Sequence, residues 1–223
     1  MTGSSAQGRW EALVLAAGAG ARFGGAKLLA PWRGGPLIEA ALGAAFAAPA
    51  RGVTVVTGAW AEGVGAAAAG FVARTRQGER LRCVHAADHG LGLSASLKAG
   101  LAALPGDCAG AMIFLGDMPL VPPDLAGTML AALPEGAAAA APVFEGRRGH
   151  PVLLRRALFP ALAGLEGDAG AGRVLAGLGE GLMLWPVGDA GVLRDIDRPG
   201  DLEAADRNAP ASLTDRTPYK PGR

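Results

Sequence analysis

The sequence predicts an α/β fold in three layers, with a mostly parallel sheet and helices on both faces. Three observations predict it. Strand-like and helix-like segments alternate from one end of the chain to the other. Leu13, Val14 and Leu15 form an apolar run that suits the centre of a parallel sheet. Another apolar strand, Met112 to Leu115, ends in Gly116-Asp117, and ligands bind at the carboxyl ends of strands in such sheets.

Strands are expected near 12–16, 53–57, 81–85, 111–115 and 138–144, with short ones near 151–154, 182–187 and 193–196. Helices are expected near 36–48, 60–70, 94–104, 122–133, 156–165, 171–177 and 199–208. The first strand is the apolar run already named. Pro36 and Pro199 stand where a first helical turn tolerates proline. The second strand ends in Thr57-Gly58, and Cys83 in the third reads as a small core residue. Ser94 reads as an N-cap, opening a helix whose Leu97, Leu101 and Leu104 form a buried stripe. Arg147 and Arg148 fall on a turn after Glu145-Gly146, ahead of a short apolar strand. Asp195 and Asp197 flank Ile196, so alternation places both acids on one strand face. Asp201 falls in the first turn of the last helix, where an acid favours the helix dipole. The whole is Rossmann-like, one domain over 10–208. The polar ends, 1–9 and 209–223, read as frayed or disordered, the latter with Pro210, Pro218 and Pro221.

Composition narrows the function. The chain has 223 residues, enough for one α/β domain with a real core. Its formal net charge is +1, and no basic block or aromatic stripe stands out, so neither nucleic acid nor a membrane surface is suggested. No apolar run is long and uninterrupted enough to span a bilayer, and MTGSSAQGRW does not look like a secretion signal. Cys83 and Cys108 form no C-x-x-C pair. A cytoplasmic protein is the default expectation.

The stretch LVLAAGAGARFGGAK, residues 13–27, describes a phosphate cradle. Gly18, Gly20, Gly24 and Gly25 let the backbone turn and present N–H groups to an anion, and Arg22 and Lys27 add positive charge. It is not a Walker A loop. Gly20 and Gly25 have the right separation, but Ala26 stands at the lysine, Lys27 comes one residue late, and Leu28 follows it in place of the hydroxyl that magnesium needs. It is not a dinucleotide fingerprint either, because Phe23 stands at the third glycine and no acid closes the second strand.

LAAG-x-x-x-RFG-x-x-K resembles the opening loop of the MobA-like nucleotidyltransferases, a family with a fold like that of the nucleotide-diphospho-sugar transferases. The resemblance runs through GLGLSASL at 90–97, FLGDMP at 114–119, RRGHPVLL at 147–154 and DIDRP at 195–199, in the family's order. It implies that the loop, with Leu15, Ala16, Ala17, Gly18 and Gly20, wraps the triphosphate of a bound nucleotide. Arg22 and Lys27 would balance charge on the phosphates. Ser94 and Ser96 would touch the nucleotide. Asp117 and Asp197 would hold Mg²⁺, or Mn²⁺ in its place, making Arg22, Lys27 and Asp117 the catalytic set. The residues alone leave bland alternatives: an Asx turn for Asp117 and a helix N-cap for Asp197.

Arg147, Arg148 and His150 would border the acceptor, two arginines suiting a terminal phosphate. His150 either orients that acceptor or stabilises the turn. The family's G-D-x-G-A-R loop is matched by EGDAGAG at 166–172, with Gly172 at the arginine's place and Arg173 one residue later. Ahead of the serines, ADH at 87–89 replaces a frequent asparagine-proline pair. His85 reads as a strand residue and His89 as a loop residue, neither in metal-ligand company. Ala17 makes the loop LAAG, typical of members that use CTP rather than GTP. The resemblance therefore points to the molybdenum cofactor cytidylyltransferases (MocA-like). The implied substrates are CTP and the molybdopterin cofactor, with a molybdoenzyme or its chaperone as the receiving partner. The alternatives are nucleotide transfer to a sugar phosphate or other small phosphate, guanylyl transfer, and a non-catalytic nucleotide-binding carrier of the finished cofactor.

Overall fold

The computed structural model describes residues 9–208, so the expected frayed ends lie, Arg9 apart, outside the described residues. Its first half contains β1 (Trp10–Ala16), a small hairpin of β2 (Pro31–Trp32) and β3 (Gly35–Pro36), α1 (Ile38–Ala47), β4 (Val53–Thr57), α2 (Ala61–Thr75), β5 (Leu81–His85), α3 (Leu93–Ala102) and β6 (Gly110–Leu115). The second half contains α4 (Leu125–Ala132), β7 (Ala139–Phe144), β8 (Arg147–Arg148), β9 (Val152–Arg155), α5 (Phe159–Ala163), α6 (Gly172–Ala176), β10 (Leu182–Pro186) and α7 (Pro199–Asn208).

The sheet runs β10-β7-β9-β6-β1-β4-β5, with β8 paired to β7. Its neighbours are parallel except around β9, which is antiparallel to both β6 and β7, and at the β7–β8 pair. β1 is buried at every position and lies between β4 and β6. Its side chains alternate between two cores. Ala12, Val14 and Ala16 join the core under α1, α2 and α4, whereas Leu13 and Leu15 join the one under α3, α5 and α6. Each fully buried Leu or Val on this strand contributes about 1.5–3 kcal/mol. Both faces are therefore covered, and the three-layer α/β expectation holds. A third, small cluster of Trp32, Leu37, Leu120, Ile196 and Ala205 seats the hairpin and α7.

Several local expectations are corrected. Pro36 is not in a helix: it pairs with Pro31 in the hairpin, and α1 starts at Ile38. The hairpin turns at Arg33 and Gly34, both at positive φ, as a two-residue turn requires. Ser94 does not cap α3. Gly92, at φ +104°, is the N-cap, and Ser94 is buried inside the first turn. Cys83 is exposed, because β5 is an edge strand and not a core one. Residues 193–196 form no strand. A 3₁₀ turn over Ala190–Leu193 leads into an extended run, and the Ile196 N–H bonds the Asp117 carbonyl at 2.9 Å.

Candidate active site

The loop after β1 folds over one of its own carbonyls. Gly20 O accepts the N–H groups of Phe23, Gly24 and Gly25 at 3.0, 3.1 and 3.1 Å. Gly20 has φ +69°, and a Cβ there would lie 2.0 Å from the Gly25 oxygen, so only glycine fits. The N–H groups of residues 18–22 have no acceptor among the described residues. They are solvent-facing donors of the kind that can cradle an anion.

Lys27 follows on a 3₁₀ turn anchored by buried Leu28. Its Nζ donates to Asp117 Oδ2 at 2.6 Å, to the Ile196 carbonyl at 2.7 Å and to Asp197 Oδ1 at 3.3 Å. Burial opposes its charge, but Asp117 and Asp197 outweigh that and hold the ammonium above its ordinary pKa. Arg22 reaches Asp197 Oδ2 at 2.7 Å while its side chain stays 74 % exposed. Its hydrogen bond, aided by Lys27 and against partial burial, holds the Asp197 carboxyl below the ordinary range.

The bland alternatives for both acids are answered by their partners. Asp117, just past β6, gives its carboxylate to Lys27. Asp197 does not cap α7. Asp201 does so from the third helical position, its Oδ2 accepting the N–H groups of Asp197 and Arg198 at 3.0 and 2.7 Å. Asp117 and Asp197 thus converge on one cationic group from two distant parts of the chain. A hard divalent ion takes oxygen ligands, commonly one or two carboxylates plus substrate phosphates, and this pair fits that donor set. No group of three or more acidic, histidine or cysteine side chains able to hold a metal occurs among the described residues.

These groups open onto a cleft of about 670 Å³. Leu15, Ala16, Ala17, Gly18, Gly20, Arg22, Lys27, Ser96, Asp117 and Asp197 all line it. Ser94 does not; it is 2 % exposed, and its N–H bonds the Gly167 carbonyl at 3.1 Å. Asp195 lines the cleft beside Asp197, with Ile196 buried between them. His89, Gly92, Leu93 and Asp168 also line the cleft, although sequence reasoning gave none of them a site role. Asp168 had a signal, since it sits in the EGDAGAG loop that packs on the start of α3.

Arg148 and His150 line a smaller cavity of about 210 Å³ that shares Leu15, Leu93 and Leu115 with the main cleft. Arg147 lines neither. Arg148 NH2 bonds the Gly172 carbonyl at 3.3 Å. His150 Nδ1 lies 3.3 Å from the Ile113 carbonyl, and the His150 N–H bonds Val192 O at 2.9 Å. Burial pushes its imidazole below the ordinary pKa, opposed by Ile113, Asp117 and Asp195. Arg173 is exposed on α6, and the His85 and His89 rings meet edge-on at 6.0 Å.

Residues 12–182 match the family described as MobA-like NTP transferase domain. The purine catabolism protein PucB of Bacillus subtilis (strain 168) is 35 % identical over 100 residues, covering 44 % of this chain and 47 % of that protein. The match thus spans about half the length of that relative. Among solved structures, Rv0371c from Mycobacterium tuberculosis H37Rv superposes with a TM-score of 0.75 at 25 % identity, over 90 % of this chain and 100 % of that one. Its homolog from Mycobacterium sp. strain JC1 gives 0.73 at 31 % identity, over 90 % and 96 %. No helix among the described residues is long and apolar enough to cross a membrane.

Proposed function

This chain belongs to the MobA-like NTP transferase family and is a nucleotidyltransferase, and from that premise we propose that it moves CMP from CTP to the terminal phosphate of the molybdopterin cofactor. A phosphate oxygen of the acceptor attacks the α-phosphorus of CTP, the bond to the bridging oxygen breaks, and pyrophosphate leaves. Molybdopterin cytosine dinucleotide is the other product. The observation that carries the transfer reading is the convergence of Lys27, Asp117 and Asp197 beside a loop whose N–H groups have no acceptor among the described residues.

The acceptor phosphate is already anionic, so no strong general base is needed. The barrier lies in bringing two anions together and in charge growing on the departing pyrophosphate. Lys27, kept protonated by its two carboxylates, supplies a fixed charge for that moment, and Arg22 supplies a second at the cleft rim. A divalent cation held by Asp117 and Asp197 would neutralise the nucleotide's phosphates. Arg148 and His150, in the cavity that shares a wall with the main cleft, support placing the acceptor there. Ala17 supports cytosine through the resemblance: it lines the cleft, and an LAAG loop is typical of members that use CTP. This reading puts the protein in the cytoplasm, in reach of a molybdoenzyme or its chaperone.

Thermal melting with each NTP plus magnesium tests the base, and pyrophosphate release across a panel of acceptors tests the transfer. CTP should give the largest shift and molybdopterin the fastest release. A largest shift with GTP overturns the cytidylyl assignment, faster release with a sugar phosphate overturns the acceptor, and CTP binding without release from any acceptor points to a carrier. Ala17→Gly should move the CTP-to-GTP preference toward GTP by about tenfold.

A further inference from the structure

Trp60 is a large aromatic side chain that belongs to none of the cores and is 43 % exposed. It stands just before α2, and its contacts go to the glycine loop. The indole Nε1–H donates to the Ala19 carbonyl at 2.9 Å. Its ring lies against Gly25, where a Cβ would sit 3.9 Å from Cζ2. One residue earlier, the Ala59 N–H donates to the Ala17 carbonyl at 3.2 Å. The segment after β4 therefore holds two alternate carbonyls of the loop.

In a trans peptide the carbonyl of one residue and the N–H of the next point in opposite directions. Fixing the carbonyls of Ala17 and Ala19 on the 59–60 side turns the N–H groups of Gly18 and Gly20 the other way. Ala59 and Trp60 do not line the cleft, whereas Gly18 and Gly20 do. Both N–H groups are without an acceptor among the described residues. The Ala19–Gly20 peptide has glycine on one side and so has little steric resistance to flipping. The indole hydrogen bond supplies that resistance.

We propose that Trp60 is a positioning residue for the anion cradle: it locks the Ala19–Gly20 peptide so that the loop's N–H groups face the nucleotide's phosphates. The proposal rests on the nucleotide reading above for its ligand, and on the loop's own contacts for its mechanism. It predicts an effect on phosphate affinity that does not depend on the base or the acceptor.

The test compares the wild-type protein with Trp60→Phe, which keeps the ring against Gly25 and removes the donor. Inorganic tripolyphosphate is the probe, titrated calorimetrically, alongside steady-state kinetics. Trp60→Phe should weaken tripolyphosphate by about fivefold, the worth of one net hydrogen bond. It should raise KM for the nucleotide by a like factor, with kcat within about twofold, an unchanged acceptor KM and an unchanged ligand-free melting temperature. In the ligand-free protein the Gly20 amide NMR signal should broaden as the peptide begins to exchange. Trp60→Phe that binds tripolyphosphate as the wild type does, or a wild type that does not bind it, overturns the proposal. A wild type that binds tripolyphosphate but no nucleotide overturns the nucleotide reading and leaves the role of Trp60 standing.

Discussion

At the amino end of β1, Glu11 is fully buried and takes Arg51 Nε at 2.7 Å and Arg82 NH1 at 3.2 Å, while Arg51 forks onto Asp107 at 2.8 and 2.9 Å. Beyond its carboxyl end, Lys27 and Arg22 meet Asp117 and Asp197 at similar distances. Each cluster has two basic and two acidic groups, so neither charge count nor bond length separates them. What separates them is what lies alongside. At the amino end the two carboxylates and the arginine fork answer one another within the protein. At the carboxyl end the same kind of pairing sits beside loop N–H groups with no acceptor among the described residues and opens to a cleft. The first closes on itself and holds the fold, whereas the second keeps bonding capacity in reserve.

Substitutions should separate the two ends in opposite ways. Asp117→Ala should lower turnover by at least roughly 100-fold, about 3 kcal/mol of transition-state stabilisation, with little change in melting temperature. Near-wild-type pyrophosphate release with CTP and magnesium would remove Asp117 from the site. Lys27→Ala should raise KM for the nucleotide and lower turnover together; an unchanged turnover would limit Lys27 to binding. Glu11→Ala should do the reverse, costing about 2 kcal/mol in urea unfolding while leaving kcat alone. Its arginines are partly exposed and regain water, which keeps the loss below that of breaking a fully buried pair.

The smallest effect concerns pH. The hydrogen bonds from Arg51, against some desolvation, hold the Asp107 carboxyl at about 2 rather than 3.8. A carboxyl with a depressed folded-state pKa stabilises fully above its unfolded value and loses that contribution as pH falls through the folded one. The urea midpoint of the wild type should therefore fall more steeply between about pH 4 and pH 2 than that of Asp107→Asn. Because Asp107 is well exposed, the difference should be modest, and parallel curves would mean the pair adds nothing.

Much of the site was legible because its parts are short motifs at strand ends. Lys27, Asp117 and Asp197 are far apart in the chain, yet Asp117 follows a strand, Asp197 an extended run and Lys27 the glycine turn, each a place the sequence marks. Positions fixed by backbone conformation were not legible. Ser94 looks like a cap by residue type, but Gly92 takes the left-handed conformation that the turn needs and moves the cap two residues back. Trp60 was invisible for a similar reason, since a tryptophan near a helix start reads as core until its indole is seen to face a carbonyl of another loop. The reversal of β9 leaves no trace in periodicity, because an apolar strand looks the same in either direction. Cys83 was misplaced because an edge strand and a central one share that pattern.

That reversed strand also imposes an order on a chain emerging from the ribosome. Residues 10–115 contain β5, β4, β1 and β6, four neighbours of the sheet in that spatial order, together with the glycine loop and Lys27. The outer side of β6 is filled by β9, at residues 152–155, and β7 is seated only across β9. Until those residues are synthesised, β6 is an open edge whose free N–H and C=O groups are a template for unwanted pairing. Asp197 comes later still. A nascent chain that stalls between Leu115 and Val152 therefore carries the glycine loop without Asp197, and beside it an unpaired edge open to association.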